Sequence, residues 1–511
     1  MATTTEKRYN KVLDVIDNRL VPDKEAKKAR GEVFTPLNLV REMLFGLRKS
    51  SLSKEKNEIW GMDEEGKPVE DDPDNRVGGI PLDVWRDPES TFLDPANGIG
   101  NFPVVAFYIL DFQLDKHSKD PKFKGEQNKQ KRRKHIVENM LYMIELNKGN
   151  VNTSRKIFRN IAPGTEPNIV CANTLSLNDD KLKKVFGINR FTVVMGNPPF
   201  QEINEKGETI GGKQKLYQKF IYPFGTSVLK DTGSYMVYVI PDNFFIGNSI
   251  KGYSDIIKKQ IILLNTSDIT STYFPQIGQN TVYFLLQNIV NTKVSLILDR
   301  ANKLNSIQLT DRKLNPLLFW NKVTEKIFSK LILDTDNDST FKYVREDFKI
   351  FKNTGNYKVI IQPNLTKYTD NIEKARGWNI PKIIIFRQKP NAEPYVDYTG
   401  KTGAGPETYY YTDTNKNHLD NLNLFFMSDI FKLIKKLTTT SQYLKNPSFI
   451  NLESMLVDKK LSESDIYEAL DINKEEVYSV LQKIETKSKK QTRRNKAGGA
   501  RFNKTRKIKR N

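Results

Sequence analysis

Cysteine and histidine are scarce: 511 residues hold one cysteine, Cys171, and three histidines, His117, His135 and His418. A single cysteine excludes an intrachain disulfide and fits a reducing, intracellular compartment. The histidines lie far apart in the chain and offer no zinc-ligand spacing, so no metal is expected. No apolar run approaches the ~18 residues of a membrane span. The N-terminal stretch MATTTEKRYNKV lacks the apolar core of a secretory signal.

Acidic residues are missing from Thr486–Asn511, which carries twelve Lys or Arg of a chain whose net charge is +21. The other 485 residues are left with +9. Such a block stays solvated and disordered, and binds polyanions through counterion release without reading sequence. Its KKQTRRNK run also fits a nuclear import signal, so placement is expected to be cytoplasmic or nuclear.

The length allows two or three domains with a sizeable core. Residues 1–30 are polar, with Val12, Leu13, Val15 and Ile16 as apolar positions, which predicts a helical segment. GEVFTPLNLVREMLFGL follows, an extended stretch and then a helix with Pro36 at its start, where a missing N–H costs little. DEEGKPVEDDPDN is an acidic loop and DKHSKDPKFKGEQNKQKRRK reads as a solvated basic insertion. Short strands are expected in TFLDPANGIG, NMLYMIELN, NIVCANTL, FTVVMGNPPF, GSYMVYVIPDNFF and NTVYFLLQNIV, alternating with helices such as LYQKFIYPFGTSVLK. Residues 31–300 therefore read as a wound α/β domain. Residues 301–455 mix strands (PKIIIFRQK, ETYYYTD) with a helix (FFMSDIFKLIKKL) and read as a second, α+β domain. Residues 456–485 read as a small helical segment with an N-cap at Ser462, and 486–511 as the basic tail.

Three strand ends carry chemistry. In FLDPANGIGNF a strand stops at Asp94, and Gly98 and Gly100 permit a tight turn and close approach to a ligand before the next helix. The spacing is neither the dinucleotide G-x-G-x-x-G nor a Walker loop. An acid at that strand end suits a cationic amine better than a phosphate. YMIELN puts Glu145 at the tip of the following strand, where nucleoside-binding α/β folds use an acid for the ribose hydroxyls. GNPPF ends a third strand. Its prolines fix φ and remove backbone donors, so Asn197 and Pro198 present carbonyl oxygens at the crevice. Two such acceptors can hold an exocyclic NH2 group. They favour pyramidal nitrogen and free a lone pair that the ring otherwise delocalises. Phe200 would stack on that ring.

GEVFTP, DPANGIGNF, YMIELN, CANTL, GNPPF and FPQIGQNTVYFLL occur here in the order seen in gamma-class, N6-adenine-specific DNA methyltransferases. The chain resembles most the Eco57I-like restriction-modification methylase family, well over residues 28–290 and loosely beyond. The resemblance implies a Rossmann-like, mostly parallel seven-stranded sheet that binds S-adenosylmethionine. It implies that Phe34, Thr35 and Pro36 line the methionine side, that Asp94 takes the ammonium group and that Ala96, Gly98 and Gly100 form the floor. It gives the ribose to Glu145 and the cofactor adenine to Asn173, which stands where the family usually has Asp. Asn97 stands where a cysteine is common. Asn197, Pro198, Pro199 and Phe200 would hold the target amine, with Tyr283 or Phe284 as a second aromatic face. The target adenine must be flipped out of double-stranded DNA to reach such a site, and residues 301–455 take the place of a target-recognition domain.

A cytosine-C5 enzyme is excluded because Cys171 follows Val170 and not proline. About thirty residues precede GEVFTP, so a stand-alone methylase with a separately encoded restriction endonuclease is expected over a fused nuclease. RNA, protein glutamine and cytosine N4 remain as alternative substrates, as does a catalytically inactive DNA-binding relic. The Lys- and Asn-rich style also resembles proteins of large DNA viruses.

Overall fold

The computed structural model describes residues 34–48, 76–200, 215–245, 252–274, 280–300, 302–309, 316–317, 319–333, 340–438, 444 and 446–484. The expected helix in 1–30, the acidic loop, most of FPQIGQN and the basic tail lie outside them. The described residues divide into two compact units. The first runs to Phe244 and resumes over 252–309; the second comprises Phe245 and the described residues from 316 onward.

The first unit is α/β. Leu47–Arg48 (β1) and Arg76–Val77 (β2) form a small antiparallel pair. The main sheet is built from Phe92–Asp94 (β3), Leu141–Glu145 (β4), Asn168–Cys171 (β5), Val193–Gly196 (β6), Tyr235–Pro241 (β7), Lys259–Asn265 (β8), Thr281–Val290 (β9), Ser295–Leu298 (β10) and Leu304–Ile307 (β11). Its order is β11-β10-β8-β9-β7-β6-β3-β4-β5. β3 to β7 run parallel, and β9 is antiparallel to both β7 and β8. Strands β6 and β7 are buried throughout, which is why they read as unbroken apolar runs and not as alternating ones. β3 to β9 make the seven strands the resemblance implies. The sheet is wider than expected, because β10 pairs in parallel with β8 and returns through β11, so β8 is not an edge.

Helices Leu37–Phe45 (α1), Asn101–His117 (α2) and Lys148–Ile161 (α4) pack on the sheet, while Lys129–His135 (α3) packs against α2. Two expectations fail here. The basic insertion is not simply solvated: Phe123 and Arg132 are buried, and Arg132 and Arg133 each hold Asp111 of α2 at 2.7 Å. Paired guanidinium groups can be buried where lone ones cannot. LYQKFIYPFG does not form one helix. It breaks at Tyr222 (φ −142°, ψ 125°), because a following proline pushes its neighbour out of the helical region.

Among its described residues the second unit holds two sheets. Lys342–Tyr343 (β12), Tyr357–Gln362 (β13), Leu365–Thr369 (β14), Lys382–Phe386 (β15), Tyr395–Asp397 (β16), Gly403–Ala404 (β17) and Thr408–Thr412 (β18) form the orders β12-β18-β15-β16 and β14-β13-β17. FFMSDIFKLIKKL is not one helix but the meeting of Lys416–Met427 (α5) and Asp429–Thr438 (α6), separated by Ser428 in an extended conformation. Ser462 caps the helix Glu463–Ala469 through the Asp465 N–H, as expected. Ile466, Tyr467, Val477 and Leu481 share one apolar cluster with Phe425 and Ile430, so this helical segment is built into the second unit's core.

Candidate active site

The order of winding fixes where a ligand fits. From β3 the chain builds outward through β4 to β5, then returns to β3's other side with β6 and β7. The crevice of such a sheet opens at the carboxyl ends of the two strands that flank the reversal, here β3 and β6. Asp94 ends β3, Glu145 ends β4, and Asn197 follows β6.

After Asp94 the chain turns through Gly98 (φ +56°) and Gly100 (φ +101°), and Gly100 caps α2. A Cβ on Gly98 would stand 3.1 Å from the Phe34 ring, and one on Gly100 2.9 Å from Ser154 Oγ. The turn needs glycine for its left-handed backbone and for space. Asn101 Nδ2 donates to the Thr35 carbonyl at 2.7 Å, and Pro36 opens α1. Phe34, Thr35 and Pro36 are thus held against the glycine turn from a distant part of the chain. Asn97 is tied down from the other side, donating to Ser154 Oγ at 3.2 Å.

Asp94 is 1% exposed. Its Oδ1 accepts the Ala96 N–H at 3.0 Å, while Oδ2 has no partner among the described residues. Burial pushes its carboxyl well above the usual range; the Ala96 N–H opposes this and the Glu145 charge adds to it. A buried carboxylate oxygen without a donor is costly, and an incoming cation would relieve the cost.

Glu145 is half-buried, with Oε2 accepting from the Gly98 N–H and Oε1 from the Asn147 N–H, both at 2.7 Å. Those bonds orient its carboxylate beside the glycine turn. Next to it, Leu146 is 71% exposed, and its carbonyl accepts from Cys171 Sγ at 3.5 Å. Asn173 is exposed, and its Oδ1 already accepts the Leu175 N–H at 3.1 Å. A ligand amine there would be a second donor on that oxygen.

Gly196 has φ +154°, and a Cβ on it would meet Asp94 Oδ1 at 2.9 Å. Only glycine lets the start of Asn197-Pro198-Pro199-Phe200 lie against that carboxylate. Asn197, Pro199 and Phe200 are half-buried and Pro198 is buried. The Phe200 ring meets Tyr217 edge-on at 6.3 Å, and Tyr217 meets Phe244 at 6.3 Å. Tyr217 is held by its hydroxyl on Asn243 Oδ1 at 2.8 Å, and burial pushes its pKa up to about 12.

Tyr283 exposes no ring face on which a base could stack, which corrects that expectation. It is fully buried, and its hydroxyl donates to Glu42 Oε1 at 2.8 Å. Phe284 is equally buried. Glu42 also accepts from Tyr273 at 3.1 Å and Asn265 at 3.3 Å, so α1 is fastened to β8 and β9 through one carboxylate. Burial raises the Glu42 pKa against those three donors. Sequence reasoning missed Tyr217, Glu42 and Tyr238. For Tyr238 the one signal was a hydroxyl inside the otherwise apolar run MVYVI. Among the described residues no group of His, Cys, Asp and Glu could hold a metal ion, and no helix is long and apolar enough to cross a membrane.

Residues 119–274 match the sequence profile of the family described as Eco57I restriction-modification methylase. A protein of Mycoplasma pneumoniae described as an uncharacterized adenine-specific methylase is 25% identical over 181 residues, 31% of this chain and 41% of its own length. The chain thus spans well under half of that relative. A modification subunit of a type I restriction enzyme from Vibrio vulnificus superposes with a TM-score of 0.36 at 16% identity, over 58% of this chain and 52% of that one. The type ISP restriction-modification enzyme LlaBIII, solved bound to DNA, superposes with a TM-score of 0.46 at 12% identity, over 80% of this chain and 36% of that one.

Proposed function

With residues 119–274 matching the sequence profile of the Eco57I restriction-modification methylases, we propose that this chain is an S-adenosylmethionine-dependent DNA methyltransferase acting on the N6 amine of a flipped adenine. The observation that carries this reading is the set of three neighbouring strand ends bearing Asp94, Glu145 and Asn197-Pro198-Pro199-Phe200. The buried, unpartnered Asp94 Oδ2 supports a ligand with a cationic amine.

S-adenosylmethionine supplies an electrophilic methyl group. Asp94 holds the amine end, Glu145 the ribose hydroxyls, and Phe34, Thr35, Pro36, Ala96, Gly98 and Gly100 shape the space between. Asn173 meets the adenine edge with its amide oxygen. On the target side, Asn197 Oδ1 and the Pro198 carbonyl accept the two N–H groups of the adenine amine and draw its nitrogen toward tetrahedral geometry. Pro198 and Pro199 have no N–H to compete for those acceptors. The nitrogen becomes acidic only once methylated, so its surplus proton leaves to water without a strong base. Phe200, buttressed by Tyr217, stacks on the everted ring. Stacking of about 1–3 kcal/mol per base offsets much of the few kcal/mol that flipping costs.

Residues 31–300 would form the catalytic domain and 301–455 the target-recognition domain. Basic and aromatic groups meet in the latter, with the Arg345 and Arg387 guanidinium carbons 5.5 and 5.6 Å from the Tyr343 ring centroid, a pairing suited to nucleic acid. A separately encoded restriction endonuclease is the partner this reading implies. The test supplies labelled S-adenosylmethionine with duplex DNA, single-stranded DNA, RNA or protein, and identifies the modified nucleoside. N6-methyladenine in duplex DNA is expected; label confined to RNA, protein or cytosine would overturn the substrate.

A further inference from the structure

β7 contributes a buried hydroxyl beside the crevice strands. Tyr238 is fully buried, and its hydroxyl has no partner among the described residues. It pairs in register with Gly196. Gly196, lacking a side chain, lets Asp94 and Tyr238 both pack close against its backbone. A Cβ built there lies 2.9 Å from Asp94 Oδ1 and 3.7 Å from Tyr238 Cε1. Two buried oxygens without donors among the described residues, Asp94 Oδ2 and the Tyr238 hydroxyl, thus belong to side chains that both border the glycine preceding Asn197. The Asp94 charge acts on the Tyr238 hydroxyl and, after burial itself, raises its pKa, so the phenol stays neutral.

A sheet core does not keep two such atoms unsatisfied without a reason. A neutral phenol oxygen accepts one N–H, a carboxylate oxygen accepts another, and an ammonium group has three to give. We propose that Tyr238 is a further positioning residue of the methyl-donor site: its hydroxyl and Asp94 Oδ2, on side chains that both border Gly196, hold the donor's ammonium group jointly. This rests on the reading of the crevice as an S-adenosylmethionine site. The same arrangement sets the amine end of the donor against the first residue of the target-amine loop, so a correctly seated amine keeps Gly196 and Asn197 in place.

The experiment titrates wild type and Tyr238→Phe with S-adenosylhomocysteine and with its deamino analogue, and records the melting temperature of the empty proteins. A hydrogen bond to a charged group sets the scale, so Tyr238→Phe should weaken S-adenosylhomocysteine roughly tenfold or more and leave the deamino analogue unchanged. The empty variant should melt no lower than wild type, since it loses only an unsatisfied hydroxyl. Equal weakening of both ligands, or no weakening of either, would overturn the assignment. A wild-type protein that binds neither ligand would bring down the methyl-donor reading itself, and Tyr238's role with it.

Discussion

Asp94 in the first unit and Asp397 in the second are both buried aspartates at strand ends, and their surroundings are opposite. Asp397 Oδ2 accepts Lys382 Nζ at 2.9 Å and the Thr402 N–H at 2.8 Å; Oδ1 accepts the Thr399 N–H and hydroxyl. Lys382 is fully buried and also reaches the Thr402 carbonyl at 2.8 Å. Burial alone would raise the Asp397 pKa, but the Lys382 bond and the threonine donors outweigh it and the pKa falls. Asp94 has one donor and an empty oxygen, and its pKa rises. A closed network of this kind holds a fold together, whereas an open one waits for a ligand. Glu42 stands between the two, with three donors yet a raised pKa.

Asn197→Ala should lower methyl transfer by on the order of 10²–10³-fold, the scale of losing one preorganised group at a reacting atom, and leave cofactor affinity nearly unchanged by calorimetry. Equal turnover in variant and wild type would remove Asn197 from the mechanism. In the second unit, Lys382→Met should cost about 3–5 kcal/mol because it strands a buried carboxylate, measured by urea unfolding. Pairing it with Asp397→Leu should recover much of the loss.

Asp94→Asn should do the reverse of Lys382→Met. A carboxyl whose folded pKa is raised binds protons more tightly in the folded state, so its contribution to stability is present at low pH and lost as pH rises through the folded pKa. Removing the ionisable group should therefore stabilise the empty protein at neutral pH by about 1 kcal/mol or more, while S-adenosylmethionine binding is lost. Wild-type affinity should also weaken as pH falls, because a proton must leave Asp94 before the ammonium group can bind; a flat profile would contradict the unpaired, elevated carboxyl. The smallest effect belongs to Tyr283→Phe. Losing one bond to Glu42 should cost about 1–2 kcal/mol of stability without altering fluorescence of a 2-aminopurine at the target base. A changed flipping signal would restore Tyr283 to the base pocket.

Much of the first unit was legible because its strands are buried on both faces and so read as apolar runs that end abruptly. FLDPANGIGNF, YMIEL and VVMGNPPF each declared a strand and the polar group at its tip. The Ser462 cap was legible for a local reason: a side chain bonds a backbone group three residues away. Breaks inside helices were less so. Ser428 and Tyr222 sit in segments whose apolar spacing continues across the break, and periodicity does not register a change of direction.

Chain order alone determined the composition of the candidate site: which acids stand at strand ends, where glycine permits a turn, and where prolines strip a loop of donors. These are properties of a few adjacent residues, set by φ, ψ and the hydrogen-bonding groups each residue carries. Tertiary structure decided everything that depends on residues far apart in sequence. It buried Tyr283 against Glu42, folded Phe34 onto Gly98, and set Asp94 and Tyr238 both against one glycine. A burial of that kind is a property of the sheet's order, and no spacing along the chain encodes which strands become neighbours.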